Sequence, residues 1–526
     1  MSTNWLANAH PETFWPHHAW PDFAALSKPE KTRALVILPI HGFADHGLGL
    51  PLDAEEAVGS AILRRAAEIA TASGATLLVL PPLRFGLAPY PSAHFGIDAE
   101  TACEQMREIV RSVKASGFGK IVFFNTSPWN EELVATVALD TRVEFGLENH
   151  IVNLSKLGMS FHPAAPREAR ANAQAAAALA LGLTAKEVRA NVKKSAKLAK
   201  PDIRDADFRP GNFQRPQPLA PDETLDAANI LKMASIQFAR ALAGSAGSLP
   251  AIDIAYCGQA ARAPSFPRSC RSHYLPALTA AELAALPNKR RALVIIPTGA
   301  IEQHGPHLPV GVDAILGQAW LAHALPKLLA KTPRAAKRVF IAPPITFGKS
   351  NEHDGFPGTI TISAKTLRRV LLALAAHLRA LGFRAIAVLN THGGNSPTIV
   401  HTLREIQTTL NLRAGMLKPP LTPDLSAKEA ALGIHAGEWE TALMLACAPE
   451  LVRQDKAVCE YPALPPDGPA NSANLAWLTR DISQSGVLGD ARAATPEKGT
   501  RWLETASEAL AVRIGELLGK DNPPFP

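Results

Sequence analysis

Four short segments of this chain concentrate the side chains able to hold a metal ion and move protons. The first is Glu302-Gln303-His304-Gly305-Pro306-His307-Leu308-Pro309, followed by Asp313. Glu302 and His304 stand two apart, so in an extended loop they point the same way. Asp313 returns at the start of the next helical stretch. Two carboxylates and an imidazole in this order suit Zn²⁺ or Mn²⁺, although Asp313 taken alone also reads as a helix cap. The second segment is Asn390-Thr391-His392-Gly393-Gly394-Asn395, in which paired glycines let the backbone pass close to a ligand. The third, His435-Ala436-Gly437-Glu438-Trp439-Glu440-Thr441, opens an apolar helix with acids in its first turn. Taken alone, Glu438 and Glu440 read equally as compensation of the helix dipole. The fourth, His353-Asp354-Gly355-Phe356-Pro357-Gly358-Thr359, also reads as a plain tight turn.

Something must bring these segments together. Short apolar runs at 292–296, 339–342 and 385–389 are bounded by Pro, Gly or Asn, as buried strands are. Residues 314–329 and 364–381 carry apolar side chains at helical spacing. This alternation predicts an α/β fold, a mainly parallel sheet with helices on both faces. Ligands in such folds bind beyond the carboxyl ends of the strands, where the polar segments sit.

The unit is written twice. Residues 33–39 read RALVILP and 291–297 read RALVIIP; PPLRFG at 81–86 matches PPITFG at 343–348; SGFGKIVFFNTSPWN at 116–130 matches LGFRAIAVLNTHGGN at 381–395. Order and offset are kept, which points to duplication of one domain. The expected division is a first copy at 1–244, a linker rich in Gly, Ser, Ala and Pro at 245–272, and a second copy at 273–526. Stretches 225–242 and 502–518 read as equivalent closing helices.

The second copy resembles the creatininase family of creatinine amidohydrolase-like metal hydrolases. The pieces that carry the resemblance are GAIEQHGPHLPVGVD, EHDGFPGTITIS, NTHGGNS, IHAGEWETALML and GVLGDARAATPEKGTRWLE, in family order over 274–518. The resemblance implies two divalent metal ions, Zn, Mn or Fe, at the C-terminal edge of the sheet. It assigns Glu302, His304, Asp313 and His392 as ligands, with Asp313 bridging, and Glu440 as the fifth. Creatininase itself carries a Glu two residues after the histidine that matches His392. Here that position is Gly394, which counts against creatinine as substrate and raises the importance of Glu440. The candidate catalytic groups are His435, Glu438 and His353. His435 has two readings of equal weight, a proton shuttle to the leaving nitrogen and an orienting partner of a ligand.

The first copy fails at the ligands. Glu302 corresponds to Ala44, Asp313 to Glu55 and His392 to Ser127, while Gly393-Gly394 become Pro128-Trp129. His304 is kept as His46, and His162 takes the place of His435 beside Arg167. One histidine and one displaced carboxylate do not hold two metals. The first copy is therefore expected to keep the fold without the chemistry, and to supply an interface, wall or lid. The family resemblance further implies a homo-oligomer.

Composition sets the outer limits. In 526 residues the net charge is +7, with 47% hydrophobic and 19% charged side chains, ordinary for a soluble globular enzyme. The basic run Lys186, Arg189, Lys193, Lys194, Lys197 and Lys200 has no interleaved aromatics and fits one solvated helix face rather than a nucleic-acid site. The five cysteines form no C-x-x-C pair, so neither disulfides nor a thiolate zinc site is expected. No apolar stretch is long enough to span a bilayer, and the N-terminus does not read as a signal peptide; the expected location is the cytoplasm. The expected function is metal-dependent hydrolysis of a C–N bond in a small cyclic amide, formamide or related molecule. The alternatives are a metallopeptidase acting on a peptide precursor and a non-catalytic scaffold or binding protein.

Overall fold

The apolar run at 35–41 forms β1 (Leu35–His41), and all seven of its residues are buried, as a central parallel strand between two helical layers requires. The computed structural model describes residues 10–72, 74–88, 90, 92–195, 218–244, 271–418, 421–462 and 476–518. In the first copy β1 is joined by β2 (Leu77–Val79), β3 (Lys120–Asn125) and β4 (Glu148–Asn153), in the order β2-β1-β3-β4 and all parallel. The helices are α1 (Trp20–Ala25), α2 (Ala54–Ala72), α3 (Ala99–Ala115), α4 (Glu131–Phe145), α5 (Arg167–Leu181) and α6 (Ala227–Gly244). Side chains alternate across the sheet. Leu35 and Ile37 join one apolar cluster with α2, α5 and α6, while Val36 and Leu38 join another with α3 and α4.

The second copy repeats this plan. Strands β5 (Leu293–Thr298), β6 (Val339–Ile341), β7 (Ala385–Asn390) and β8 (Arg413–Leu417) run parallel in the order β8-β7-β5-β6. Its helices are α7 (Ala280–Ala285), α8 (Val312–Lys331), α9 (Ala364–Ala380), α10 (Ser396–Leu410), α11 (Glu438–Cys447) and α12 (Pro496–Leu518). The helix expected from 502 starts six residues earlier. Pro496 takes the first helical position, where its missing N–H costs nothing, and Thr495 Oγ1 accepts from the Lys498 N–H at 3.3 Å. Both apolar clusters run continuously through the two copies. The linker expected at 245–272 falls, up to residue 270, outside the described residues.

The copies embrace through their opening segments. Phe14 bridges to Val79 of its own sheet and Tyr274 to Ile341 of its own. Each segment then crosses to the other copy. Pro16 and His18 carbonyls accept from Gly311 and Val310 N–H at 3.0 and 2.8 Å; Pro276 and Leu278 carbonyls accept from Asp53 and Leu52 N–H at 2.9 and 3.0 Å. The contact is reciprocal, as in a two-fold dimer, but lies within one chain. Among the described residues no helix is long and apolar enough to cross a membrane, and Cys103, Cys447 and Cys459 are free thiols.

Candidate metal centre

Three loops at the carboxyl ends of β5 and β7 and before α11 converge. Glu302 and His304 follow β5, and Asp313 lies in the first turn of α8. His392 follows β7. Thr391, beside it, donates its hydroxyl to the Asp313 carbonyl at 2.8 Å, which ties the second motif to the first. Glu440 reaches in from the start of α11. Its carboxylate accepts from the Ala436 N–H at 2.6 Å, and Ala436 has φ +52°, a left-handed turn that non-glycine residues rarely adopt.

Three groups of donor atoms each lie within 4.8 Å of one another: Glu302, Asp313 and His392; His304, His435 and Glu440; Glu302, His353 and His435. These are all the residues singled out from sequence except Glu438. Glu438 is buried too, but its carboxylate pairs with the Lys498 ammonium on α12. That ion pair leaves Glu438 outside the three groups, the one residue singled out from sequence that is not brought to the centre.

Hydrogen bonds to neighbouring groups fix which ring atoms face the centre. His304 donates from Nδ1 to the Glu302 carbonyl at 3.0 Å, and His392 donates from Nε2 to the Lys349 carbonyl at 2.9 Å. A carbonyl only accepts, so in the neutral rings the opposite nitrogens, His304 Nε2 and His392 Nδ1, carry the lone pairs and face inward. His392 Nδ1 lies 3.1 Å from Glu302 and 3.7 Å from Asp313. His435 likewise donates from Nε2 to the Gln303 carbonyl at 2.7 Å, leaving Nδ1 to face Glu302 at 3.8 Å. His353 is the reverse case. Gln303 Oε1 accepts from the Gly305 N–H, so its amide nitrogen donates to His353 Nδ1 at 2.9 Å. His353 therefore carries its proton on Nε2, 3.5 Å from Glu302.

The charge balance asks for cations. Glu302, His304 and Asp313 are essentially inaccessible to solvent, and Glu302 Oε2, His304 Nε2 and Asp313 Oδ2 are buried with no hydrogen-bond partner. A buried group left so costs about 1–3 kcal/mol. Burial, then the Glu302 charge, pushes the Asp313 carboxyl well above its ordinary range, and burial raises Glu440 as well. Burial holds His304 and His353 well below theirs. For His392 burial acts downward, but Glu302, Glu352 and Asp313 outweigh it and hold the ring well above. Divalent ions between these atoms fit the donor set: hard carboxylate oxygens, and imidazole nitrogens of His304, His392 and His435 whose opposite nitrogens are held by backbone carbonyls.

Sequence reasoning left out three contributors. Gln303 sets the tautomer of His353. Glu352 lies 3.4 Å from His392 Nε2. Buried Glu429 accepts from the Glu438 and Asp490 N–H groups, both at 2.8 Å, and so anchors the start of α11. For Glu352 the signal was its position immediately before His353.

In the first copy the equivalent space is closed. Glu55 is fully buried and occupied on both oxygens, by His46 Nε2 at 2.8 Å and the Gly42 N–H at 2.6 Å. His46 stacks on Phe161, and Trp129 packs against His162. Among the described residues every potential metal group lies in the second copy.

A family model named creatininase, described as creatinine amidohydrolase, matches residues 16–195 and 276–514. The mycofactocin precursor peptide peptidase of Mycolicibacterium smegmatis is 31% identical over 230 residues, 42% of this chain and 84% of that protein. The creatinine amidohydrolase of Pseudomonas putida is 30% identical over 268 residues, 47% of this chain and 97% of that protein. The 3-dehydro-scyllo-inosose hydrolase of Thermotoga maritima is 27% identical over 254 residues, 44% of this chain and 79% of that protein. A crystal structure of creatinine amidohydrolase aligns over 47% of this chain and 99% of its own, at 24% identity and a TM-score of 0.40.

Proposed function

The chain belongs to the creatininase family, and from that premise we propose that its second copy is a metal-dependent amide hydrolase with two divalent ions, while its first copy is structural. The observation that carries the reading is the convergence of three buried donor atoms without partners, Glu302 Oε2, His304 Nε2 and Asp313 Oδ2. Glu302, Asp313 and His392 would hold one ion and His304 and Glu440 the other, with Asp313 shared. When bound, two such ions supply a water of near-neutral pKa and polarise a carbonyl oxygen.

The chain's own groups do the rest. His435 presents an unprotonated Nδ1 to the centre and is held there by its Nε2 bond to Gln303, so it accepts a proton at Nδ1 and passes it to a leaving nitrogen. His353 presents an Nε2–H, suited to donate a hydrogen bond to an oxygen beside Glu302. Lys349 and Gln303 carbonyls keep the rings in place.

The substrate of this reading is a small cyclic amide, a formamide or a related C–N compound. A second reading, a peptide precursor, is favoured by the mycofactocin precursor peptide peptidases among the relatives. A homo-oligomer, implied by the sequence resemblance, is also part of the proposal. Zn- or Mn-loaded protein assayed against lactams, formamides and short peptides decides between the substrates. Turnover of peptides alone overturns the small-amide assignment, and turnover of none overturns the hydrolase.

A further inference from the structure

The first copy contacts the second at the loops that bear the ligands. The N–H of Val310 donates to the His18 carbonyl at 2.8 Å, while the carbonyl of Val310 accepts from the Glu302 N–H at 2.9 Å. One residue on, Gly311 donates to the Pro16 carbonyl at 3.0 Å. Gly311 is the N-cap of α8, two residues before Asp313, and a Cβ there would come within 2.6 Å of Pro16. The two metal-binding carboxylates nearest β5 are thus fastened, through one and two residues of backbone, to a segment of the other copy.

Two side chains of α1 extend this hold. Trp20 Nε1 donates to the Ser485 carbonyl at 3.0 Å. The next carbonyl, Gly486, accepts from the Gln303 amide that sets His353. Asp22 takes a two-pronged bond from Arg453 at 2.6 and 2.7 Å, and the Arg453 N–H donates to the His307 carbonyl. On the other side of the interface, Arg271 forks onto Asp53 at the head of α2, beside the closed site of the first copy.

We propose that the opening segment of the first copy, through Trp20 and Asp22, is a positioning element for the metal centre of the second. The duplicated copy then persists because the live site is held from outside its own domain. Trp20 and Asp22 are positioning residues: their hydrogen bonds go not to the candidate ligands but to Ser485 and Arg453, in the loops that aim Glu302, Asp313 and His353. The inference rests on the metal-hydrolase reading of that site.

The test is chelator competition with Zn²⁺ on the full chain. Trp20→Ala/Asp22→Asn, both at half-buried positions, should fold and bind Zn²⁺ about 10–100-fold more weakly, the loss typical of removing outer support from a ligand. Arg271→Gln breaks a two-pronged cross-copy bond at the closed site instead. It should lower Tm while Zn²⁺ affinity stays at the wild-type value, which separates aiming from general destabilisation. Wild-type affinity in the double variant overturns the proposal alone, as does an equal loss of affinity in Arg271→Gln. A wild-type chain that binds no Zn²⁺ removes the metal-site reading and the proposal with it.

Discussion

The carboxylate of Glu352 lies 3.4 Å from Nε2 of His392, in the space that a side chain on Gly394 would fill. A Cβ on Gly394 would collide with Glu352 and come within 2.5 Å of His392 Nε2. The glycine therefore makes room for a carboxylate that comes from a different loop, and that carboxylate stands behind the His392 ring, on the side away from Glu302 and Asp313.

Glu352→Gln keeps the packing and removes the charge, and is expected to weaken metal binding by about 10–100-fold. Gly394→Ala should weaken it as well, by displacing Glu352. Because the two act through one contact, combining Gly394→Ala with Glu352→Ala should cost less than the sum of the single changes. Strict additivity in chelator titrations would show that Gly394 and Glu352 act independently, leaving the Lys349 carbonyl and Ser350 hydroxyl to orient His392.

His435→Ala should retain bound metal and lower turnover by ~10²–10⁴-fold, the usual contribution of a proton-transfer group. Elemental analysis of the purified variant is the check. Metal lost in proportion to activity makes His435 a ligand, a role its Nδ1 could fill with His304 and Glu440.

Asp313→Asn should abolish activity with the fold intact. An amide bridges two cations poorly, and its NH₂ group would point at metal or at Glu302. Circular dichroism should be unchanged. Activity within a few-fold of wild type removes Asp313 from the bridging role.

The interface between the copies should weaken in mild acid. His94 of the first copy and His377 on α9 of the second meet edge to face at 5.6 Å, and His94 Nδ1 and His377 Nε2 lack hydrogen-bond partners. Burial, and for His94 also the neighbouring His377, lowers them to about 3 and about 4. In the unfolded chain both protonate near 6.5. Below that pH the unfolded state binds protons the folded state does not, so this contribution to stability is whole above pH 6.5 and falls as pH drops toward 4. The slope is roughly 1 kcal/mol per pH unit per histidine. His377→Gln should flatten the fall in Tm between pH 7 and 5; an unchanged slope places the acid sensitivity elsewhere.

Much of this was legible in sequence, for identifiable reasons. Strands β1, β5 and β7 are apolar runs because both faces are covered, and their ends carry the polar motifs because the sheet is parallel. The lost ligands of the first copy could be read by alignment, and the His46–Glu55 bond now shows what fills the space. The pairing of Glu438 with Lys498 was not legible, because first-turn acids do not declare their face. Two residues apart on a helix they diverge by roughly 200°, so Glu440 facing the centre sends Glu438 toward Lys498. The cross-copy hold of Pro16, His18 and Trp20 was not legible, since backbone carbonyls leave no sequence signal and the Trp/His-rich start reads as a polar tail. Glu352 was hidden by the same limit: its role comes from Gly394, 42 residues away, which only the fold brings opposite it.

A live second copy beside a closed first copy sets the metal stoichiometry of the chain. Protein purified without chelator should carry about two divalent ions per chain, by the two-metal logic of such sites, and His304→Ala/His392→Ala should carry almost none. The first copy cannot compensate, because Glu55 is already bonded by His46 and the Gly42 N–H. About four ions in the wild type, or about two surviving in the double variant, would contradict the account and give the first copy a site of its own.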